Sequence, residues 1–143
     1  MGALTIIAGI LAARFLEPSP PKKIVLATGL AGWMYNTVGR EYKQRLEKLG
    51  LLVELVETNG SVENLERTVR GQADVAFAQS GTVSLVSDPN GTLRGLAALY
   101  VEPLWVFCRG RLDSESLSAL RGRRIAVGPP QSGTEAVAKA LLA

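Results

Sequence analysis

A four-residue apolar run, Ile24-Val25-Leu26-Ala27, stops at Thr28-Gly29 and passes through Leu30-Ala31-Gly32 into a stretch of helical periodicity. This junction restricts the possible folds more than any other part of the chain. A short continuous apolar strand suits a parallel sheet covered on both faces. Gly29 and Gly32 admit turn conformations and a close backbone approach that a Cβ would obstruct. The helix after them opens with amide N–H groups that have no intrahelical acceptor, and with the positive end of its dipole, which together suit a small anion. An ordinary strand-to-helix turn is the alternative reading of the same residues.

Apolar residues at Met34, Val38, Tyr42, Leu46 and Leu49 predict an amphipathic helix from Trp33 to Leu49, ended by Gly50. Leu52 to Glu57 reads as a second strand. Ser61 is placed to cap a helix carrying Val62, Leu65 and Val69 on one face and ending at Gly71, and Asp74 to Ala78 supplies a third strand. Strand, helix, strand, helix, strand is the α/β order of a parallel sheet with right-handed crossovers and helices on both faces. The expected first lobe therefore spans residues 24–100.

Beyond it the rhythm changes. Leu93 to Tyr100, Leu104 to Cys108 and Arg124 to Val127 are strand-like, Ser114 to Leu120 is a short helix, and Thr134 to Ala143 starts another helix without a cap signal. Residues 101–143 are expected to hold a crossing strand and the start of a truncated second lobe. At the other end Ala3 to Ala13 is uncharged and apolar, with Phe15 and Leu16 prolonging it. Residues 1–17 read as an export signal or membrane anchor, with a buried helix as the alternative, and residues 18–23 as a Pro-rich linker.

Several functions are disfavoured by composition. The chain has no histidine, which removes the commonest general base, the Ser-His triad and the commonest transition-metal ligand. A single cysteine, Cys108, allows no internal disulfide and no multi-Cys zinc site, and its apolar surroundings suggest a small core residue. The net charge of +3 is scattered along the 143 residues, not gathered in a stripe, so no nucleic-acid partner is expected. Gly128-Pro-Pro-Gln-Ser-Gly133-Thr134 has phosphate-loop spacing without the lysine, and Gly29-Leu-Ala-Gly32 lacks the third glycine of a dinucleotide fingerprint. No cofactor, metal or catalytic residue is expected.

What remains is a set of neutral polar turns. Thr28-Gly29, Thr58-Asn-Gly-Ser61, Gln79-Ser-Gly-Thr82 and Gly128 to Thr134 each follow a predicted strand, where open α/β sheets bind ligands, and none contains Lys or Arg. They offer the hydroxyls of Tyr35, Ser61, Ser80, Ser132 and Thr134 and the amides of Asn36, Asn64 and Gln79. Such an array can hold a carboxylate on backbone amides without a buried cation. Ser61 and Thr134 are equally suited to capping, and Tyr35 to packing on the sheet.

With those residues stated, the chain resembles the TAXI family of solute-binding proteins that serve TRAP transporters. The resemblance lies in Ile24 to Gly39, Thr58 to Leu65, Gly71 to Thr82, Tyr100 to Phe107 and Leu120 to Thr134, and it covers nearly everything after Lys23. It implies a periplasmic-binding-protein fold of the second type, exported or membrane-anchored. Such a protein would trap a small carboxylate, an amino acid or a glutamate-like dicarboxylate, between two lobes and deliver it to TRAP transporter membrane subunits without turning it over. The loops that would touch ligand match Gly32, Trp33 and Tyr35; Ser61; Gln79, Ser80 and Thr82; and Ser132, Gly133 and Thr134. The sequence departs from the family pattern at two places: Trp33 stands where a second glycine is usual, and Gln131 where a glycine is common, so Gln131 joins the candidate set. An enzyme or a ligand-sensing module on the same two-lobed architecture is the alternative function.

Overall fold

The computed structural model describes residues 21–111 and 116–143. The expected anchor at 1–17 and residues 18–20 of the linker lie outside the described residues, and among those described no helix is long and apolar enough to cross a membrane.

The strand-like run after the linker forms β1 (Lys23–Ala27), and the periodic stretch after the first turn forms α1 (Met34–Lys48). They are followed by β2 (Leu52–Val56), α2 (Ser61–Val69) and β3 (Val75–Ala76). Two 3-10 turns, at Val83–Leu85 and Leu117–Leu120, precede the last helix, α3 (Gly133–Leu142). All three strands are parallel, in the order β2-β1-β3, with Lys23 opposite Leu52 and Leu26 opposite Val75. β3 is short, but Asp74 N–H donates to Val25 O at 2.9 Å and Phe77 N–H to Ala27 O at 3.2 Å, so pairing continues on either side of it.

The first crossover leads from the central strand to one edge and the second leads back past it to the other. With right-handed connections, that order sets α1 and α2 on opposite faces of the sheet. The core on the α1 face is Leu26, Val53 and Phe77, covered by Tyr35, Val38 and Leu46. The Phe77 ring lies 5.7 Å from that of Tyr35 and 6.0 Å from that of Tyr42, centroid to centroid. On the other side α2, with Leu65 buried, packs on β1 and β3. Both first helices stop as their sequence predicts. Gly50 and Gly71 take φ of 85° and 68°, and the amides just past them fold back: Leu51 N–H to Leu46 O at 3.2 Å and Gln72 N–H to Arg67 O at 2.8 Å.

Several expectations change. α1 turns Tyr35, Val38 and Leu46 inward, while Met34 and Leu49 are exposed, because the helix axis is set by the close approach of Gly39 to Thr28. Gly60, not Ser61, precedes the first turn of α2, and Ser132, not Thr134, caps α3. The strand-like runs Leu93–Tyr100, Leu104–Cys108 and Arg124–Val127 form no strands among the described residues. A strand needs a neighbour to receive its ladder of hydrogen bonds, and these stretches pair with no strand of the sheet. Their apolar side chains are accordingly exposed, Leu96 at 81% and Phe107 at 88%. Cys108 is exposed as well, so it is not a core residue. The helix expected from Ser114 is a 3-10 turn from Leu117; residues 112–115 lie outside the described set.

Candidate functional site

Parallel strands end on one edge of the sheet, so the turns after β1, β2 and β3 are neighbours before any side chain is considered. A polar knot fixes their spacing. The Asn64 amide nitrogen, on the first turn of α2, donates to Thr28 O and, at 2.8 Å, to Phe77 O. Asn64 Oδ1 lies 2.5 Å from Thr58 Oγ1, which is also 3.1 Å from Thr28 O. One buried side chain thus joins the ends of all three strands. On the α1 side Asn36 Nδ2 donates to Thr28 Oγ1 at 3.3 Å, and that hydroxyl donates to Val56 O at 3.1 Å. Among the described residues no buried side-chain polar atom lacks a partner. Asn36 and Asn64, two of the amides expected to meet ligand, are therefore spent on the scaffold.

The fourth turn is brought to the same edge by backbone contact. Val62 N–H, at the start of α2, donates to Gln131 O at 3.1 Å. Gly133 lies so close to the second and third turns that a Cβ there would be 2.7 Å from Ser61 Oγ, and one on Gly60 would be 3.2 Å from Ser132 Cα. α3 starts at this contact: Ser132 Oγ accepts from Glu135 N–H at 3.1 Å, and Glu135 Oε2 accepts from Gln131 N–H at 2.7 Å. Hydrogen bonds from Lys139 and the Gln131 amide hold the Glu135 carboxyl below its usual range.

Between these turns lies a cleft of about 160 Å³. At about 30 Å³ of liquid per water, that is room for about five waters, the size class of a free amino acid and far below that of a nucleotide. Its walls are Gly29, Leu30, Trp33, Met34 and Tyr35 from the first turn, Asn59 to Ser61 from the second, Gln79 from the third and Ser132 to Thr134 from the fourth. Glu102, Pro103 and Leu104 of the extended stretch close the remaining side. α1 begins in this wall at Trp33 with no side-chain cap, so its first-turn amides depend on something other than the helix for acceptors. Ser61 Oγ is committed to Gln79 N–H at 2.9 Å.

Tyr35 OH donates to Glu102 Oε2 at 3.1 Å. Burial pushes the Tyr35 phenol well above its ordinary range; a hydrogen bond with the Ser61 hydroxyl pulls the other way, and the Glu102 charge adds to the rise. The phenol is therefore a proton donor at any physiological pH. Of the residues lining the cleft, Glu102 alone carries a charge. Among the described residues no three His, Cys, Asp or Glu side chains stand together as metal ligands would.

Seven of the candidates read from sequence line the cleft: Trp33, Tyr35, Ser61, Gln79, Ser132, Gly133 and Thr134. Four do not. Gly32 and Ser80 are exposed beyond it. Thr82 is buried and donates to Gln79 O at 2.7 Å, which shapes the third turn. Gln131 is exposed at φ 66° and joins the site only through its backbone. Asn59, Gly60 and Glu102 are wall residues that sequence reasoning misses. The first two sit inside a turn already singled out, and Glu102-Pro103 interrupts two apolar runs, a break that marks a bend.

A known family matches this arrangement. The model of the NMT1-like family matches residues 26–143, from β1 to the end of α3. The chain belongs to the NMT1-like family. That family is periplasmic-binding-protein-like, and the three-stranded parallel sheet with its helices is consistent with one lobe of such a fold. Membership supports solute binding and transport as the theme of this NMT1-like chain, with a small molecule as its ligand. No solved structure matches the chain.

Proposed function

We propose that the protein is an extracytoplasmic solute-binding protein of the TAXI type, which captures a small carboxylate in this cleft for a TRAP-type transporter. The observation that carries the reading is the meeting of three strand-end turns and the turn before α3 around the uncapped start of α1. A carboxylate placed there receives charge-assisted hydrogen bonds from first-turn amides and the favourable end of a fifteen-residue helix. Trp33 supplies an aromatic wall, and Gln79, Ser132 and Thr134 supply neutral polar contacts. The fold is a periplasmic-binding-protein lobe of the second type, and capture proceeds by closure of two lobes, each contributing contacts that exist only in the closed state.

Binding without turnover is part of the proposal. It is supported by the absence of histidine from the chain and by a cleft whose one ionisable acid is already engaged by a tyrosine hydroxyl. Extracytoplasmic placement rests on family membership together with the apolar start of the sequence. Calorimetric titration of the protein with a panel of small carboxylates is expected to give one-site binding. Combining Ser132→Ala with Thr134→Val removes both hydroxyls of the fourth turn and should weaken that binding at least about tenfold. Unchanged affinity in that variant would remove the fourth turn from the site, and no binding by any acid would overturn the reading.

A further inference from the structure

A site for an anion that contains a carboxylate of its own is an electrostatic contradiction, unless the ligand also carries a positive group. Glu102 is that carboxylate. It is the charged residue among those lining the cleft, and no Lys or Arg in the wall neutralises it. Tyr35 OH takes one of its oxygens, Oε2, at 3.1 Å. A carboxylate has about four lone-pair sites on two oxygens, so one donor leaves most of its accepting capacity facing the cleft and solvent. A glutarate-like dianion would place like charge beside it, whereas an ammonium group would find both a charge and acceptors.

We infer that Glu102 is a specificity-determining residue that receives the ammonium group of an α-amino acid whose carboxylate lies at the start of α1. The inference rests on the solute-binding reading above and narrows it. The two poles of the site belong to one residue's neighbourhood. Tyr35 contributes its backbone to the first turn of α1 and its hydroxyl to Glu102, so one tyrosine side chain separates the place for the negative group from the place for the positive one. An α-amino acid has its carboxylate and ammonium on the same carbon, so one small ligand presents both charges to these two places. The 160 Å³ volume is of the same class. Burial raises the Tyr35 phenol's pKa, so the hydroxyl keeps its proton and holds Glu102 in place without competing for the ligand's positive charge.

Glu102→Gln tests this with little disturbance, because Gln keeps an acceptor for Tyr35 OH and the residue is exposed. The full chain and the variant are titrated with L-amino acids, with the matching acids that lack the amino group, and with the matching amines that lack the carboxylate. The expected result is wild-type binding of an amino acid in preference to its deaminated analogue. Glu102→Gln should weaken the amino acid at least about tenfold, as expected when charge is removed from a hydrogen bond to an ionised group, and should leave the deaminated acid no weaker, or tighten it, because a like charge has been removed from the wall. Equal binding of both acids by the wild type, or an equal response of both to the variant, overturns the role of Glu102 and leaves the carboxylate reading standing. Binding of the amines alone, lost in Glu102→Gln, keeps Glu102 as the ammonium site but removes the carboxylate from the start of α1, and with it the amino-acid assignment. Binding of none of the three series overturns both readings.

Discussion

Asn64 is completely buried, and its side chain both donates and accepts, which is what three converging strand ends require: carbonyls at Thr28 and Phe77 and a hydroxyl at Thr58. Replacing it with Ala takes the side-chain donor from the Phe77 carbonyl and leaves Thr28 O with the Thr58 hydroxyl alone. At about 1–3 kcal/mol for a buried polar group left unpaired, Asn64→Ala is expected to cost about 2 kcal/mol, read as a lower urea midpoint at unchanged slope. Asn64→Asp should cost more at neutral pH, since a carboxylate would then face two carbonyl oxygens. In the sequence Asn64 is recognisable as a polar group near a turn. Which partner it serves depends on atoms up to 36 residues away, and no local pattern carries that. Cys108 shows the same limit from the other direction. Apolar neighbours make it read as core, but they are themselves exposed, so its thiol is expected to react fully with a disulfide reagent in native protein without denaturant.

Among the elements, α1 and α2 are readable because a helix satisfies its own backbone and advertises its buried face as a period; the two glycine stops are equally plain. The runs at Leu93–Tyr100 and Leu104–Cys108 have strand composition, but a strand's identity is completed by its neighbour. The position of α1 on the sheet is set by Gly39, where a Cβ would come within 2.6 Å of Thr28 Cγ2. Thr28 cannot turn away, being tied to Val56 and Asn36. Gly39→Ala therefore sets an overpacking cost of about 1–3 kcal/mol against a helix-propensity gain of about 1 kcal/mol. Net destabilisation is expected, visible as a lowered melting temperature; a stabilised variant would mean the helix slides freely. At the start of α2, burial pushes the Glu63 carboxyl up, but the Asn59 amide and Arg67 outweigh it and hold it below its ordinary 4.5. A lowered folded-state pKa gives stability that is present above the unfolded value and lost as pH falls through the folded one. Glu63→Gln should accordingly flatten the fall in urea midpoint between about pH 5 and pH 3.

For the molecule as a whole, the two halves of the described chain are unlike. Around the sheet, buried polar side chains are paired and Leu26, Val53 and Phe77 are covered. Around residues 104–127 and the end of α3, Trp105, Phe107, Ile125 and Leu141 line an open apolar groove of about 640 Å³. Exposed apolar surface of that kind binds hydrophobic dyes, so the protein is expected to enhance the fluorescence of anilinonaphthalene sulfonate while natively folded. Trp105→Ser with Phe107→Ser should reduce that signal without lowering the melting temperature. The cleft has a different dependence on the whole. Its walls are drawn from residues 29–30, 33–35, 59–61, 79, 102–104 and 132–134, so most of the described chain must be in place before the cleft is complete. A fragment that lacks any one of these segments lacks part of the wall. An occupant then works as a molecular chaperone, drawing scattered pieces of chain toward the assembled form in proportion to its concentration.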